Sequence, residues 1–349
     1  MDFDFAPLPG LLLPWYEKNR RDLPWRRDRE PYHVWLSEIM LQQTRVEAVK
    51  GYYSRFLAAL PTVEALAAAD EALCHKLWEG LGYYSRVRNL QKAAKVIVEQ
   101  HGGVFPANYD AIRALPGVGD YTAGAIGSIS FELPTPAVDG NVLRVASRLA
   151  LDETPIDSPA VKKALTNALA AIYPAGRCGD FTQALMELGA TVCLPNGAPQ
   201  CDHCPLSGLC RAHGARRELD VPVRTAKKPR RQETMTVFLL ESDRGLAICK
   251  RPGRGLLAGL WEFPHVPGKL EAAEALEAAE RLGVRPTELQ QVVERRHIFT
   301  HVEWDMRGYY LRCEAGGDFT WATREALAGV YALPTAFRQF LPPEKVSWF

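Results

Sequence analysis

The segment Leu115-Pro116-Gly117-Val118-Gly119-Asp120-Tyr121-Thr122-Ala123 runs from an apolar residue through Pro-Gly-x-Gly into the start of a helix. Its glycines allow a tight turn whose backbone N–H groups converge at a helix N-terminus. Such a turn binds a phosphate without a side-chain charge. An ordinary turn between helices would carry the same pattern, so the surroundings must decide.

Helical periodicity lies on both sides of it. Apolar residues recur at helix spacing in Val34–Leu41, Val63–Trp78, Leu90–Val98, Val142–Leu149 and Phe181–Val192. Breakers at Pro61, Gly80–Gly82, Gly102-Gly103, Pro134–Pro136 and Pro174–Gly176 separate them. Residues 1–213 are therefore expected to form an all-α bundle of about ten short helices. Residues 214–233 read as a linker, broken by Gly214 and Pro222. The pattern then changes. Strands are expected at Thr234–Glu241, Gly245–Lys250, His301–Tyr310 and near Phe319, with one helix at Leu270–Leu282. Residues 234–349 thus read as a smaller α+β domain.

The chain of 349 residues is 47% hydrophobic and 24% charged, as expected of a soluble protein of two or three domains. No apolar run approaches the roughly 20 residues that span a bilayer. The start lacks a secretory pattern, so a cytosolic protein without a membrane partner is expected. Net charge is only +1, so a nucleic-acid partner must be argued from local patches. Lys18, Arg20, Arg21, Arg26, Arg27 and Arg29 form one basic run, and Arg224, Lys227, Lys228, Arg230 and Arg231 another. A solvated surface would account for either.

Three constellations carry possible chemistry. Glu38 has Val34, Trp35 and Leu41 as helix neighbours. Desolvation on that face raises a carboxyl pKa and suits a general acid; a glutamate at the rim of the face is the plainer alternative. Next to it, the amides of Gln42 and Gln43 could bond base edges. Asp139 precedes the helix Val142–Leu149, where it is either an N-cap or a second functional carboxylate. Cys193, Cys201, Cys204 and Cys210 fall within eighteen residues, with seven, two and five residues between them. Four thiolates so placed suit zinc or a 4Fe–4S cluster. Cys74, Cys178, Cys249 and Cys313 are isolated and read as small buried residues.

Together these residues resemble the helix-hairpin-helix iron–sulfur glycosylases, and within them the MutY family of adenine DNA glycosylases. The most specific pieces are Arg21-Asp22-Leu23-Pro24-Trp25-Arg26, Trp35–Thr44, Trp78–Arg86 and Val138–Val142. The resemblance implies a helical catalytic domain with a 4Fe–4S cluster on the four cysteines, followed by a Nudix-like domain that reads 8-oxoguanine. Gly259–Pro264 fits that second domain. Leu276 and Arg281 replace the Arg and Glu of a hydrolytic Nudix helix, so pyrophosphohydrolase activity is not expected. The loop matching the reader is His297-Ile298-Phe299-Thr300-His301, with Thr300 where bacterial members commonly carry Ser. The first cysteine interval is one residue longer than the usual six, Leu194 to Gln200.

The implied reaction is excision of adenine opposite 8-oxoguanine or guanine in double-stranded DNA by a monomeric, monofunctional enzyme, nucleoid-associated in a bacterium. Glu38 would protonate adenine N7. Asp139 would stabilise the oxocarbenium sugar, through a transient covalent bond as a further implication. Tyr121 and Asn141 would orient Asp139. Arg21, Leu23, Trp25, Arg26 and Gln183 would line the base pocket. Gln43 and Tyr83 would wedge the duplex, and Leu81, Arg86, Gly117, Gly119, Thr300 and His301 would contact DNA. A lyase resembling endonuclease III would need a lysine where this hairpin has Tyr121. A non-catalytic iron–sulfur DNA-binding module is the other alternative.

Overall fold

The structure, a computed structural model, describes residues 2–226 and 229–341. Lys227 and Lys228 of the second basic run lie outside the described residues. The chain divides into two compact units. One holds the chain up to Ala68 together with Asn89–Ala226; the other holds Ala69–Arg88 together with the chain beyond Ala226.

In chain order the first helices are α1 (Leu8–Asn19), α2 (Pro31–Leu41), α3 (Val46–Ala59), α4 (Val63–Ala68), α5 (Glu71–Leu77) and α6 (Ser85–His101). They are followed by α7 (Tyr109–Arg113), α8 (Asp120–Phe131), α9 (Gly140–Ala150), α10 (Pro159–Ala170), α11 (Cys178–Thr191) and α12 (Arg211–Gly214). The all-α expectation holds. The stretch Val63–Trp78 is two helices rather than one. Asp70 takes an extended backbone before α5, and aspartate favours such cap positions over a helix interior. In the core, Leu8, Leu12 and Tyr16 of α1 pack with Val142, Val145 and Leu149 of α9 and with Phe181, Leu185 and Leu188 of α11. These positions recur at three- and four-residue spacing, so each helix turns one apolar stripe inward.

The stretch read as a linker is largely ordered. The Arg148 guanidinium donates to the carbonyls of Glu218 and Val221, at 2.9 and 3.1 Å. Val221 is buried, and Ile156 N–H donates to the Val223 carbonyl. Strand pairing then begins at Arg231.

The second unit is built on a mixed sheet. Its strands are β1 (Arg231–Ser242), β2 (Gly245–Lys250), β3 (Trp261–Glu262), β4 (His265–Pro267), β5 (Arg285–Ile298), β6 (Val302–Glu314) and β7 (Thr320–Ala322). The order is β3-β2-β1-β6-β5, with β4 on β1 and β7 on β2. β1 and β6 pair in parallel; β5 and β6 pair antiparallel. β1 is covered on both faces. Met235, Val237 and Leu239 enter one core, and Phe238 and Leu240 the other. That is why its buried middle, Met235–Leu240, is apolar except for Thr236. Helix α13 (Ala272–Arg281) covers the second face with Ala275, Ala278 and Ala279; α14 (Arg324–Gly329) and α15 (Thr335–Arg338) follow the sheet. Among the described residues no helix is long and apolar enough to cross a membrane.

Candidate active site

Helix α2 opens on a proline, whose missing N–H costs nothing at that position. Its buried face carries Val34, Trp35, Ile39 and Met40, and Glu38 is buried with them at 6% exposure. Burial raises the Glu38 carboxyl to about 7, and the nearby Asp139 charge adds to the rise. A hydrogen bond from the Tyr121 hydroxyl and the Arg26 charge act the other way.

Tyr121 enters from α8. Gly117 in the turn before that helix has φ +74, and an added Cβ would meet the Asn89 side chain at 2.5 Å. Gly119 is the N-cap of α8 and, having no side chain, leaves the first N–H groups uncapped. These N–H groups at the start of α8 thus have no side-chain cap. The expectation for Tyr121 is corrected in part. Its hydroxyl donates to Glu38 Oε2, not to Asp139.

Asp139 is the N-cap of α9 as well as a pocket residue. Its Oδ1 accepts from the N–H groups of Asn141 and Val142 at 2.9 and 2.8 Å, and its Oδ2 accepts from the Asn141 amide at 2.7 Å. Burial raises its carboxyl, while those three donors and Arg144 pull it down. Arg144 in turn donates to Asn141 Oδ1 at 2.8 Å, which fixes the amide that orients Asp139.

One pocket of about 520 Å³ is lined by Glu38, Tyr121, Asp139, Asn141, Arg21, Trp25, Arg26, Gln43 and Gln183. That volume suits a small planar ligand. Leu23 is buried but does not line it. Trp25 stands edge-on to Tyr53, with centroids 5.5 Å apart. Gln183 accepts from the Tyr16 hydroxyl at 3.2 Å. A residue that sequence reasoning missed organises this wall. Glu187 of α11 accepts from Arg21 Nε at 2.8 Å and from Arg26 Nη2 at 2.7 Å. Burial raises its carboxyl, but the two guanidiniums outweigh burial and bring it down to about 2.

The four cysteines also converge. Cys193, Cys201, Cys204 and Cys210 line one cavity with Arg148, His213 and Glu218. Arg148 Nη1 lies 3.2 Å from Cys193 Sγ. Burial, with the neighbouring charges, pushes the Cys204 thiol up to about 12 and the Cys201 thiol to about 11. Grouped sulfurs that resist ionisation on their own fit a site completed by a cation, which favours the thiolate. Cys201, His213 and Glu218 also present ligand atoms within 4.8 Å of one another. Of the isolated cysteines, Cys74, Cys178 and Cys313 are buried as expected, whereas Cys249 is only partly so.

Comparison with known proteins places this geometry. Residues 36–170 match the HhH-GPD superfamily of base excision DNA repair proteins, and residues 236–342 match the NUDIX domain. The chain is 37% identical to the adenine DNA glycosylase of Rattus norvegicus, over 87% of this chain and 70% of that protein. It is 36% identical to that of Homo sapiens, over 90% of this chain and 70% of that protein. The chain belongs to the adenine DNA glycosylase family. Among solved structures, a thermostable thymine-DNA glycosylase is similar, with a TM-score of 0.54 and 31% identity, over 59% of this chain and 94% of that one.

The remaining residues implied by the adenine glycosylase resemblance lie in the sheet-containing unit. Tyr83 is 45% exposed with φ +48, and its hydroxyl is 2.8 Å from Thr300 Oγ1. Gln43, the other expected wedge, has φ +57 in the helical unit. Left-handed backbone at these non-glycine residues is strained, as it also is at Glu132, Leu151, Arg216 and Leu257. Thr300 and His301 are exposed in the turn between β5 and β6. Leu81 and Arg86 are buried rather than presented to a ligand. Arg86 Nη2 donates to the carbonyls of Leu81 and Gly82, both at 3.1 Å, and its guanidinium packs over the rings of Trp78 and Tyr83. Burial brings Arg86 down to about 10. It braces the turn that presents Tyr83.

Proposed function

We propose that this enzyme removes adenine opposite 8-oxoguanine or guanine from double-stranded DNA as a monomeric, monofunctional glycosylase. The adenine leaves the stack and enters the pocket. Glu38, still partly protonated near neutral pH, delivers its proton to N7 of the base. Asp139 faces the sugar and stabilises the positive charge that develops as the N-glycosidic bond breaks, until water adds to C1′ and gives up a proton to complete the hydrolysis. The division of labour is that of two carboxylates in glycoside hydrolysis. Asn141 holds Asp139, and Tyr121 holds Glu38. The observation that carries the reading is a buried carboxyl with a pKa of about 7 in the same pocket as a second, capped carboxylate. No lysine lines this pocket, which disfavours a Schiff-base lyase. The test is adenine released from duplexes bearing A opposite 8-oxoguanine, G or T. Release from the two mispairs alone supports the reading; binding without release would leave a non-catalytic module.

The proposed cofactor is a 4Fe–4S cluster held by Cys193, Cys201, Cys204 and Cys210. When bound it supplies a cross-link that pins the 193–210 loop. Brown protein with broad visible absorption is expected. Colourless protein with one zinc would replace the cluster by a four-thiolate zinc site.

A further inference from the structure

Glu38 and Glu187 are both buried in the wall of one pocket, yet they sit in opposite electrostatic settings. The Glu187 side chain is 0% exposed. It accepts three hydrogen bonds from Arg21, through the backbone N–H, Nε and Nη2, at 3.0, 2.8 and 2.9 Å. It accepts a fourth from Arg26 Nη2. Two guanidiniums are thereby turned onto one carboxylate. The charged and titratable groups around Glu38 are Tyr121 from α8, Asp139 from α9 and Arg26 from the turn before α2. Arg21 and Glu187 line the same pocket. With Glu38 protonated, the two arginines are balanced by Glu187 and Asp139. Ionising Glu38 would place a third anion there.

We propose that Glu187 is a positioning residue for the proton on Glu38: by engaging both guanidiniums it keeps Arg26 from forming an ion pair with Glu38. Without it, Arg26 would keep its bond to the Arg21 carbonyl but would have no carboxylate partner, in the wall that also holds the general acid. Glu38 lines the same pocket and already feels the Arg26 charge, and an ion pair between them would strip its proton at neutral pH. The arrangement thus separates two duties that a shared pocket would otherwise confuse, holding cations at its wall and holding a proton on its acid.

The inference rests on the reading of Glu38 as the general acid, and the pH profile separates the two. Single-turnover adenine release is measured against pH for the wild type, Glu187→Gln, Arg26→Gln and the double variant, with circular dichroism to check folding. The wild-type rate should fall with pH above about 7. In Glu187→Gln that fall should move about one pH unit toward acid, a roughly tenfold deficit on the alkaline side. In Arg26→Gln it should move toward base, whatever the loss in maximal rate. The double variant should return it toward the wild-type position. If Glu187→Gln does not fold, the direction of the Arg26→Gln shift decides the matter. A fall that stays in place in every folded variant, with only a lower plateau, would overturn the proposal and leave Glu187 a structural brace. A wild-type profile with no fall above neutrality would instead overturn the assignment of Glu38.

Discussion

In the helical unit Glu38 and Glu187 are buried and Asp139 is partly buried, each against a different set of partners: a tyrosine hydroxyl, two guanidiniums and a helix N-terminus, respectively. In the sheet unit the β5–β6 turn does the reverse. Thr300 and His301 stay exposed, and the neighbouring Ile298 is 54% exposed. The contrast matches the two kinds of work proposed for these regions. Moving a proton to a base requires a shifted proton affinity, which burial supplies. Reading a base edge requires only donors and acceptors that reach outward. Damage to the pocket should therefore change rate, and damage to the turn should change discrimination.

The largest effect is expected at Glu38. Glu38→Gln keeps the shape but removes the proton, so single-turnover adenine release should fall by about 10²–10⁴-fold while mispair binding persists. Asp139 sharpens the contrast because it has two roles. Asn is as good an N-cap as Asp, so Asp139→Asn should fold with nearly unchanged stability yet release adenine far more slowly. Asp139→Ala should lose the cap as well, at a cost of about 1 kcal/mol in thermal or denaturant unfolding. Equal stability losses in the two variants would break that separation. The smallest effect belongs to the turn. Thr300→Ala removes one hydroxyl, worth about 0.5–1.5 kcal/mol, so preference for 8-oxoguanine over guanine should drop roughly two- to twelvefold in binding. A change in the rate of base release instead would place Thr300 with the chemistry.

The parts legible in the sequence were those whose signal is local. Glu38 declared itself because helix spacing alone surrounds it with apolar neighbours, and strand β1 because its middle, Val237–Leu240, is a continuous apolar run. The four cysteines needed only their intervals. Strand β5 was missed because it is an edge strand. Its residues are mostly exposed or half-exposed, and Arg285–Ile298 shows no clean alternation. Glu187 was missed because its partners are 166 and 161 residues away, and no window of sequence joins α11 to Arg21 and Arg26. The hydroxyl of Tyr121 was assigned to the wrong carboxylate for the same reason: Glu38 is 83 residues distant. The grouping of Ala69–Arg88 with the sheet unit is likewise a tertiary fact, made by contacts such as Lys76 Nζ to the Leu327 carbonyl.

The proposed chemistry turns on a proton held by a buried carboxyl beside a capped carboxylate. Its most direct test is single-turnover adenine release from a duplex bearing A opposite 8-oxoguanine, followed from about pH 5 to about pH 9. Release should be fast below neutral pH and decline as pH rises through about 7, where Glu38 loses its proton. A rate that stays level to the alkaline end, or a duplex that is bound without losing adenine, would contradict it.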